Sequence, residues 1–293
     1  MVKAKVNNIE IEYETFGDPS DKPLLLIVGL GSQMIQWEEG FIKCFTERGF
    51  YVIIFDNRDI GLSTRCKEAG EPDLMGAIMN VQQGKSVKAP YTLDDMADDA
   101  VGLLDALRIK KAHICGASMG GMIAQTIAYR HPSRVLSLTS IMSNTGNPDL
   151  PQASPEVQQV FYGPVASERE AVVENSVKVG KLIYGSGFQY DEEKHRDLAG
   201  RVFDRCYYPD GVGRHLLAIM AHGNRKEKLS VIKVPTLVIH GRDDPLLPVE
   251  GGIDTAEAIS GSELLIINGM GHSIPPETWD QITDAIIKNA AKD

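Results

Sequence analysis

Gly116-Ala117-Ser118-Met119-Gly120 stands between two apolar segments of different period, Ala112 to Cys115 before it and Met119 to Tyr129 after it. The first is short and unbroken, as a strand buried on both faces is; the second repeats apolar residues at helical spacing. A serine in the turn between such elements is a nucleophile elbow. The tight turn lifts the hydroxyl clear of the sheet, and small residues two before and two after it let strand and helix cross closely. A helix beginning at Met119 also directs unpaired N–H groups and the positive end of its dipole at charge that develops beside Ser118. That arrangement suits attack on a carbonyl. The pentapeptide alone arises readily by chance, and an ordinary turn serine between packing glycines is the plain alternative, so the surrounding chain has to carry the assignment.

Working outward, the pattern is one of strands alternating with helices. Val2 to Val6 and Ile9 to Phe16 alternate like an antiparallel pair around the turn signal Asn7-Asn8. Leu24 to Val28, Val52 to Phe55, Val135 to Ile141, Thr236 to Ile239 and Leu264 to Ile267 are further short apolar runs suited to parallel strands. Helical stretches lie between them, among them Thr92 to Leu107, with a capping box from Thr92 and Asp95, and a last helix from about Glu277 to Ala291. The sum is an α/β fold: a mostly parallel sheet with an antiparallel start and helices on both faces. The alternation fails between Ser143 and Lys228. We read residues 1–142 and 229–293 as the core and 143–228 as an inserted helical cap. Its Phe161, Tyr162, Tyr184, Phe188, Tyr207, Tyr208 and Met220 either face a pocket over Ser118 or hold the cap together.

A serine nucleophile needs a base, and the base an orienting acid. Of seven histidines, His272 lies in the glycine-rich loop Asn268-Gly269-Met270-Gly271-His272-Ser273, directly after a strand. Parallel sheets place their sites at such carboxyl ends. The acid belongs after the preceding strand, where His240-Gly241-Arg242-Asp243-Asp244-Pro245 offers two adjacent candidates. Asp244 is favoured because Pro245 fixes the turn behind it, leaving Asp243 to solvent or to Arg242. The other position open to an acid, after Val135 to Ile141, has Ser143 and Asn144 and no Asp before Asp149.

Composition narrows the classes. The chain has 293 residues, 43% of them hydrophobic, enough for a large core. A net charge of -10 argues against a general nucleic-acid binder, which needs a basic face. No apolar run is long enough for a membrane span, and the start, Met1-Val2-Lys3-Ala4-Lys5-Val6, lacks a secretory signal pattern, so a cytoplasmic location is expected. Cys44, Cys66, Cys115 and Cys206 are scattered, and His113, His131, His195, His215, His222 and His240 show no metal-ligand spacing, so neither disulfides nor a metal is expected. Gly29-x-Gly31 is too short for a dinucleotide fingerprint, and no cofactor is expected.

These motifs, in this order, resemble those of the α/β-hydrolase fold superfamily over nearly the whole chain. Phe55-Asp56-Asn57-Arg58-Asp59-Ile60-Gly61-Leu62-Ser63 adds a fourth match, a D-x-R-x-x-G-x-S loop. We read that loop as structural, with Arg58 bridging carbonyls and carboxylates. With Gly-Met-Gly-His and the chain length, it is most similar to the aclacinomycin methylesterase group of capped carboxylic ester hydrolases. The resemblance implies Ser118, Asp244 and His272 as the catalytic residues, the backbone N–H groups of Leu30 and Met119 as the oxyanion hole, and a small-molecule ester as substrate. Other carbonyl chemistry (amide, N-terminal proline, lactone or C–C cleavage) and a slow-turnover ligand receptor are the alternatives. One departure stands out. Many members carry His-Gly after the third strand, whereas this chain has Val28-Gly29-Leu30-Gly31, which leaves open how the loop is braced.

Overall fold

The computed structural model describes residues 2–161 and 166–293. Eight strands form one sheet: β1 (Val2–Val6), β2 (Ile9–Phe16), β3 (Lys22–Ile27), β4 (Phe50–Phe55), β5 (Ala112–Ala117), β6 (Val135–Ile141), β7 (Thr236–Gly241) and β8 (Glu263–Ile267). Their spatial order is β1-β2-β4-β3-β5-β6-β7-β8. β1 pairs antiparallel with β2, and β2 with β4; every pair from β4 to β8 is parallel. Asn7 and Asn8 both take positive φ, 43° and 64°, as the two-residue hairpin turn between β1 and β2 requires.

The unbroken apolar runs are explained by burial on both faces. Side chains alternate across a strand, so Leu25, Ile27, Ile53, Phe55 and Ile114 face one layer while Leu24, Leu26, Val52, Ile54 and Cys115 face the other. The first layer is completed by α3 (Leu93–Ala106) and α4 (Met119–Arg130), the second by α1 (Glu39–Thr46) and α11 (Trp279–Ala290). The Thr92 capping box is present: the Thr92 N–H donates to Asp95 Oδ2 at 2.7 Å, and the Asp94 N–H to Thr92 Oγ1 at 3.2 Å. The last helix starts two residues later than the apolar pattern implies. Pro276–Thr278 form a 3-10 turn first, with proline at its start, and the α-helix begins at Trp279.

After β3 the chain passes to β4 on one side; after β4 it returns to β5 on the other. The connections therefore part between β3 and β5, and parallel sheets bind ligands in the crevice at the carboxyl ends of such a pair. Gly29 to Gly31 leaves β3 at that point, and Ser118 leaves β5.

Between β6 and β7 the chain forms α5 (Pro155–Phe161), α6 (Arg169–Ile183), α7 (Glu192–Arg205), α8 (Pro209–His222) and the short α9 (Lys226–Leu229). Tyr162 and the side chain of Phe161 lie outside the described residues. The two remaining helices are α2 (Leu74–Gln82) and α10 (Glu250–Ala258). Loop 56–63 is the anchor for α7 and α8. Arg205 Nη1 lies 2.7 Å from Asp56 Oδ2, and Arg214 Nε 2.6 Å from Asp59 Oδ2, with both carboxylates buried. Arg58 of the same loop is structural, as read from the sequence, with Nε 2.6 Å from Asp99 Oδ2 on α3. The charged stretch Arg225 to Lys228 is not uniformly solvated: Arg225 is buried, and its guanidinium donates to Gln125 Oε1 and to the Gly223 and Asn144 carbonyls.

Candidate active site

Ser118 occupies a backbone conformation that L residues avoid, φ 56° and ψ −121°. Such a residue costs about 1–3 kcal/mol and persists only where its surroundings over-determine it. The surroundings here are glycines at contact distance. A Cβ on Gly116 would lie 2.0 Å from the Gly120 carbonyl oxygen, and one on Gly120 would lie 2.1 Å from that of Ile27. The Ser118 N–H donates to the Ile141 carbonyl at 2.9 Å, fixing the elbow to β6. Met119 is the first residue of α4, where a backbone N–H has no intrahelical acceptor.

Gly29 lies against the elbow, its missing Cβ 3.1 Å from that of Ser118. Residues 29 to 32 form a turn closed by the Ser32 N–H to the Gly29 carbonyl at 3.2 Å, with Gly31 at φ 67°. Leu30 and Met119 both line one cavity, which Ser118 and His272 also line.

Asp244 and His272 meet as the sequence leads one to expect: His272 Nδ1–H donates to Asp244 Oδ2 at 2.7 Å. The other carboxylate oxygen accepts the Leu246 and Leu247 N–H groups, each at 2.9 Å, in the turn behind Pro245. Burial by itself pushes the Asp244 carboxyl up, but the His272 and His240 imidazoles beside it outweigh that and hold it well below the usual carboxylate range. An ionised acid places the shared proton on Nδ1 and leaves His272 Nε2 as the unprotonated nitrogen. No hydrogen bond joins Ser118 Oγ to His272 in this structure. Asp243 finds neither solvent alone nor Arg242; it accepts a hydrogen bond from Ser186, while Arg242 Nε donates to Asn268 Oδ1 at 2.9 Å.

The glycines before His272 have a backbone reason. Gly271 N–H donates to the Tyr184 carbonyl at 3.0 Å and His272 N–H to that of Ile183 at 2.6 Å, so the loop lies directly on the chain leaving α6. A Cβ on Gly271 would sit 2.2 Å from the Ile183 oxygen. The partner stretch Gly185-Ser186-Gly187 is the sequence signal for this close crossing.

The cavity measures ≈ 1630 Å³. Its wall includes Trp37, Phe41, Tyr184, Tyr190, Met220 and Trp279. Of the aromatics expected over Ser118, Tyr184 is on that wall, whereas Phe188 packs against the core and Tyr207 and Tyr208 line a separate, smaller cleft. The His222 side chain is covered and hydrogen-bonds Tyr129 Oη through Nε2 at 3.1 Å. His240 carries no signal in the sequence for its role here: its Nε2–H donates to the Leu247 carbonyl at 2.7 Å, and the same nitrogen lies 3.5 Å from Asp244 Oδ2, the oxygen that His272 also approaches. Among the described residues no three His, Cys, Asp or Glu side chains gather as metal ligands, and no helix is long and apolar enough to cross a membrane.

The chain is similar to known proteins over nearly its whole length. A family model described as alpha/beta hydrolase fold matches residues 22–277. Rhodomycin D methylesterase of Streptomyces peucetius is 29% identical over 98% of this chain and 97% of its own. A 3-oxoadipate enol-lactonase of Acinetobacter baylyi is 24% identical over 96% and 94%. Among solved structures, a meta-cleavage product hydrolase from Pseudomonas fluorescens superposes with a TM-score of 0.76 at 20% identity, covering 100% of this chain and 98% of that one.

Proposed function

Since the chain belongs to the α/β hydrolase fold family, we propose that it is a serine hydrolase that cleaves carboxylic esters through an acyl-enzyme. The observation that carries this reading is the Asp244–His272 pair opening on the same cavity as Ser118 at the strained elbow. His272 Nε2 takes the Ser118 proton as Oγ attacks the ester carbonyl. The Leu30 and Met119 amides receive the oxyanion, an interaction whose loss at one donor typically costs ~2.7–4 kcal/mol in such sites. Collapse of the tetrahedral species releases the alcohol with the proton held by His272. Water, deprotonated by the same nitrogen, then attacks the acyl carbonyl and frees the acid and Ser118.

Residues 143–228 act as the cap in this reading, closing the cavity above the sheet. A cavity of ≈ 1630 Å³ exceeds the ~300–1,000 Å³ usual for small ligands and suits an ester of a bulky, largely apolar acid. The near full-length match to a rhodomycin D methylesterase favours a methyl ester as the cleaved group. The match to an enol-lactonase supports a second reading, lactone opening by the same residues.

Steady-state hydrolysis of p-nitrophenyl esters and of methyl esters of polycyclic aromatic acids, beside Ser118→Ala, tests the proposal. Multiple turnovers that vanish in the folded variant are expected. Turnover surviving in Ser118→Ala would remove the serine mechanism, and turnover of lactones without esters would favour the second reading. One stoichiometric labelling event without turnover would make the protein a receptor.

A further inference from the structure

The turn that carries Leu30 has no histidine of its own, yet an imidazole reaches it from far along the chain. His215 lies on α8, is fully buried, and places Nδ1 3.4 Å from the Gly31 nitrogen. Its Nε2 is 2.8 Å from the Arg58 carbonyl oxygen. Those two partners settle the tautomer. A carbonyl only accepts, so Nε2 carries the proton; the Gly31 N–H only donates, so Nδ1 is bare and accepts. Helix α8 touches the turn a second time through Val212, whose Cγ2 lies 3.0 Å from the position of a Cβ on Gly31.

We propose that His215 is a positioning residue for the oxyanion turn, standing in for the missing histidine after β3 by holding the central peptide of residues 29–32. The Leu30–Gly31 peptide is the one that rotates when a turn of this kind changes form. Fixing its N–H holds the turn in one form and with it the Leu30 amide one residue before. The inference rests on the hydrolase reading given above.

The charges around the ring keep it in the required state. Burial pushes the His215 imidazole down to about 4, with the hydrogen bond to the Arg58 carbonyl opposing. The Asp59 carboxylate of loop 56–63 raises it; the Arg214 guanidinium on its own helix and that of Arg58 lower it. From the segment before α3, Tyr91 packs edge-on at 6.3 Å between ring centroids and donates a hydrogen bond from its hydroxyl to Asp59 Oδ2 at 2.8 Å. His215 is therefore neutral at neutral pH, where its bare Nδ1 accepts from Gly31.

The test compares wild type, His215→Phe and His215→Gln, with Ser118→Ala as control. Ester kinetics are joined to binding of a boronic acid, which forms a tetrahedral anion on the serine, and of the carboxylate product. His215→Phe keeps the packing with Tyr91 and loses both hydrogen bonds; kcat is expected to fall on the order of ten- to a hundredfold with KM little changed. Boronate affinity should fall with kcat while product affinity holds, and His215→Gln, which restores an acceptor, should recover most of both. Wild-type kcat in His215→Phe, or equal loss of boronate and product affinity, overturns the inference. Wild-type protein that turns over no ester, or Ser118→Ala that matches it, instead overturns the hydrolase reading. Should the phenylalanine variant not fold, nitrogen NMR of the wild-type imidazole decides: a bare Nδ1 bonded to Gly31 supports the brace, and a proton on Nδ1 removes it.

Discussion

The sheet layer and the helices over it are held by different physics. In α4, residues Met119 to Ala128 are all buried, and in α3 most of the helix is; each sits in an apolar layer with the strands. In α6 only Val173, Val177 and Gly180 are buried, and in α7 only Ala199 and Gly200. Helix α8 buries Leu217 and Ala218 as well, but both α7 and α8 are pinned by polar anchors, Arg205 to Asp56 and Arg214 to Asp59, both into one loop. Apolar burial is non-directional and tolerates small shifts, whereas an ion pair in a dry site fixes position and fails badly when halved. The region that must be rigid for the elbow has the first kind of support, and the region that shapes the cavity has the second.

The contrast is most sharply tested at Arg214, where both partners are almost wholly removed from solvent. Asp59 also accepts the Tyr91 hydroxyl and the Cys66 N–H, so its carboxylate stays held in the buried site if the arginine goes. Arg214→Met should cost about 3–5 kcal/mol, the penalty of an uncompensated buried charge, seen as a loss of urea midpoint. Replacing both partners, Asp59→Leu with Arg214→Met, should recover much of that. A single variant as stable as wild type would mean that packing, not the ion pair, holds α8.

The same division governs how much the chain reveals before it folds. The strands were legible from the signal inside each segment: β1 and β2 alternate as an exposed antiparallel pair does, and the parallel strands read as short apolar runs. The elbow was legible too, since Gly116 and Gly120 are needed by contacts that arise next to them in sequence. Asp244 and His272 could be named from their places after strands, and the structure brings them to 2.7 Å. The ion pairs left no such trace. Asp56 and Arg205 are separated by about half of the 293-residue chain, and nothing local distinguishes them from the other charged residues. His215 and His240 were hidden for the same reason, each acting on a loop it meets only in three dimensions.

Acid should act unevenly on the two regions. Burial lowers the imidazoles of His113, His195, His215 and His222, the last two to about 4. In the unfolded chain they take up protons near 6.5, so between there and about 4 the unfolded state binds more protons, and stability falls as pH falls. The contribution is complete above 6.5. Three of the four lie on α7 and α8, and only His113 is in the sheet. Asp244 acts lower, its stabilisation present above the ordinary carboxylate value of 3.8 and lost beneath it. The thermal midpoint should therefore be level above pH 6.5 and decline toward pH 4, with proteolytic cuts appearing first in 169–222. A level midpoint across that window would show that these rings are solvated.

The smallest effect is expected where the contacts look most numerous. Arg169 reaches Asp204 with two hydrogen bonds of 2.7 and 2.8 Å, and Arg196 pairs with Glu174 and Glu192, joining α6 to α7. All of these side chains are largely open to water. Exposed pairs gain little because water screens the attraction and ordering two long side chains opposes it. Arg169→Ala should therefore leave the thermal midpoint within error and ester turnover unchanged. A marked fall would place the stability of this region in its surface network rather than in the anchors at Asp56 and Asp59, and Arg214→Met would then be the milder variant of the two.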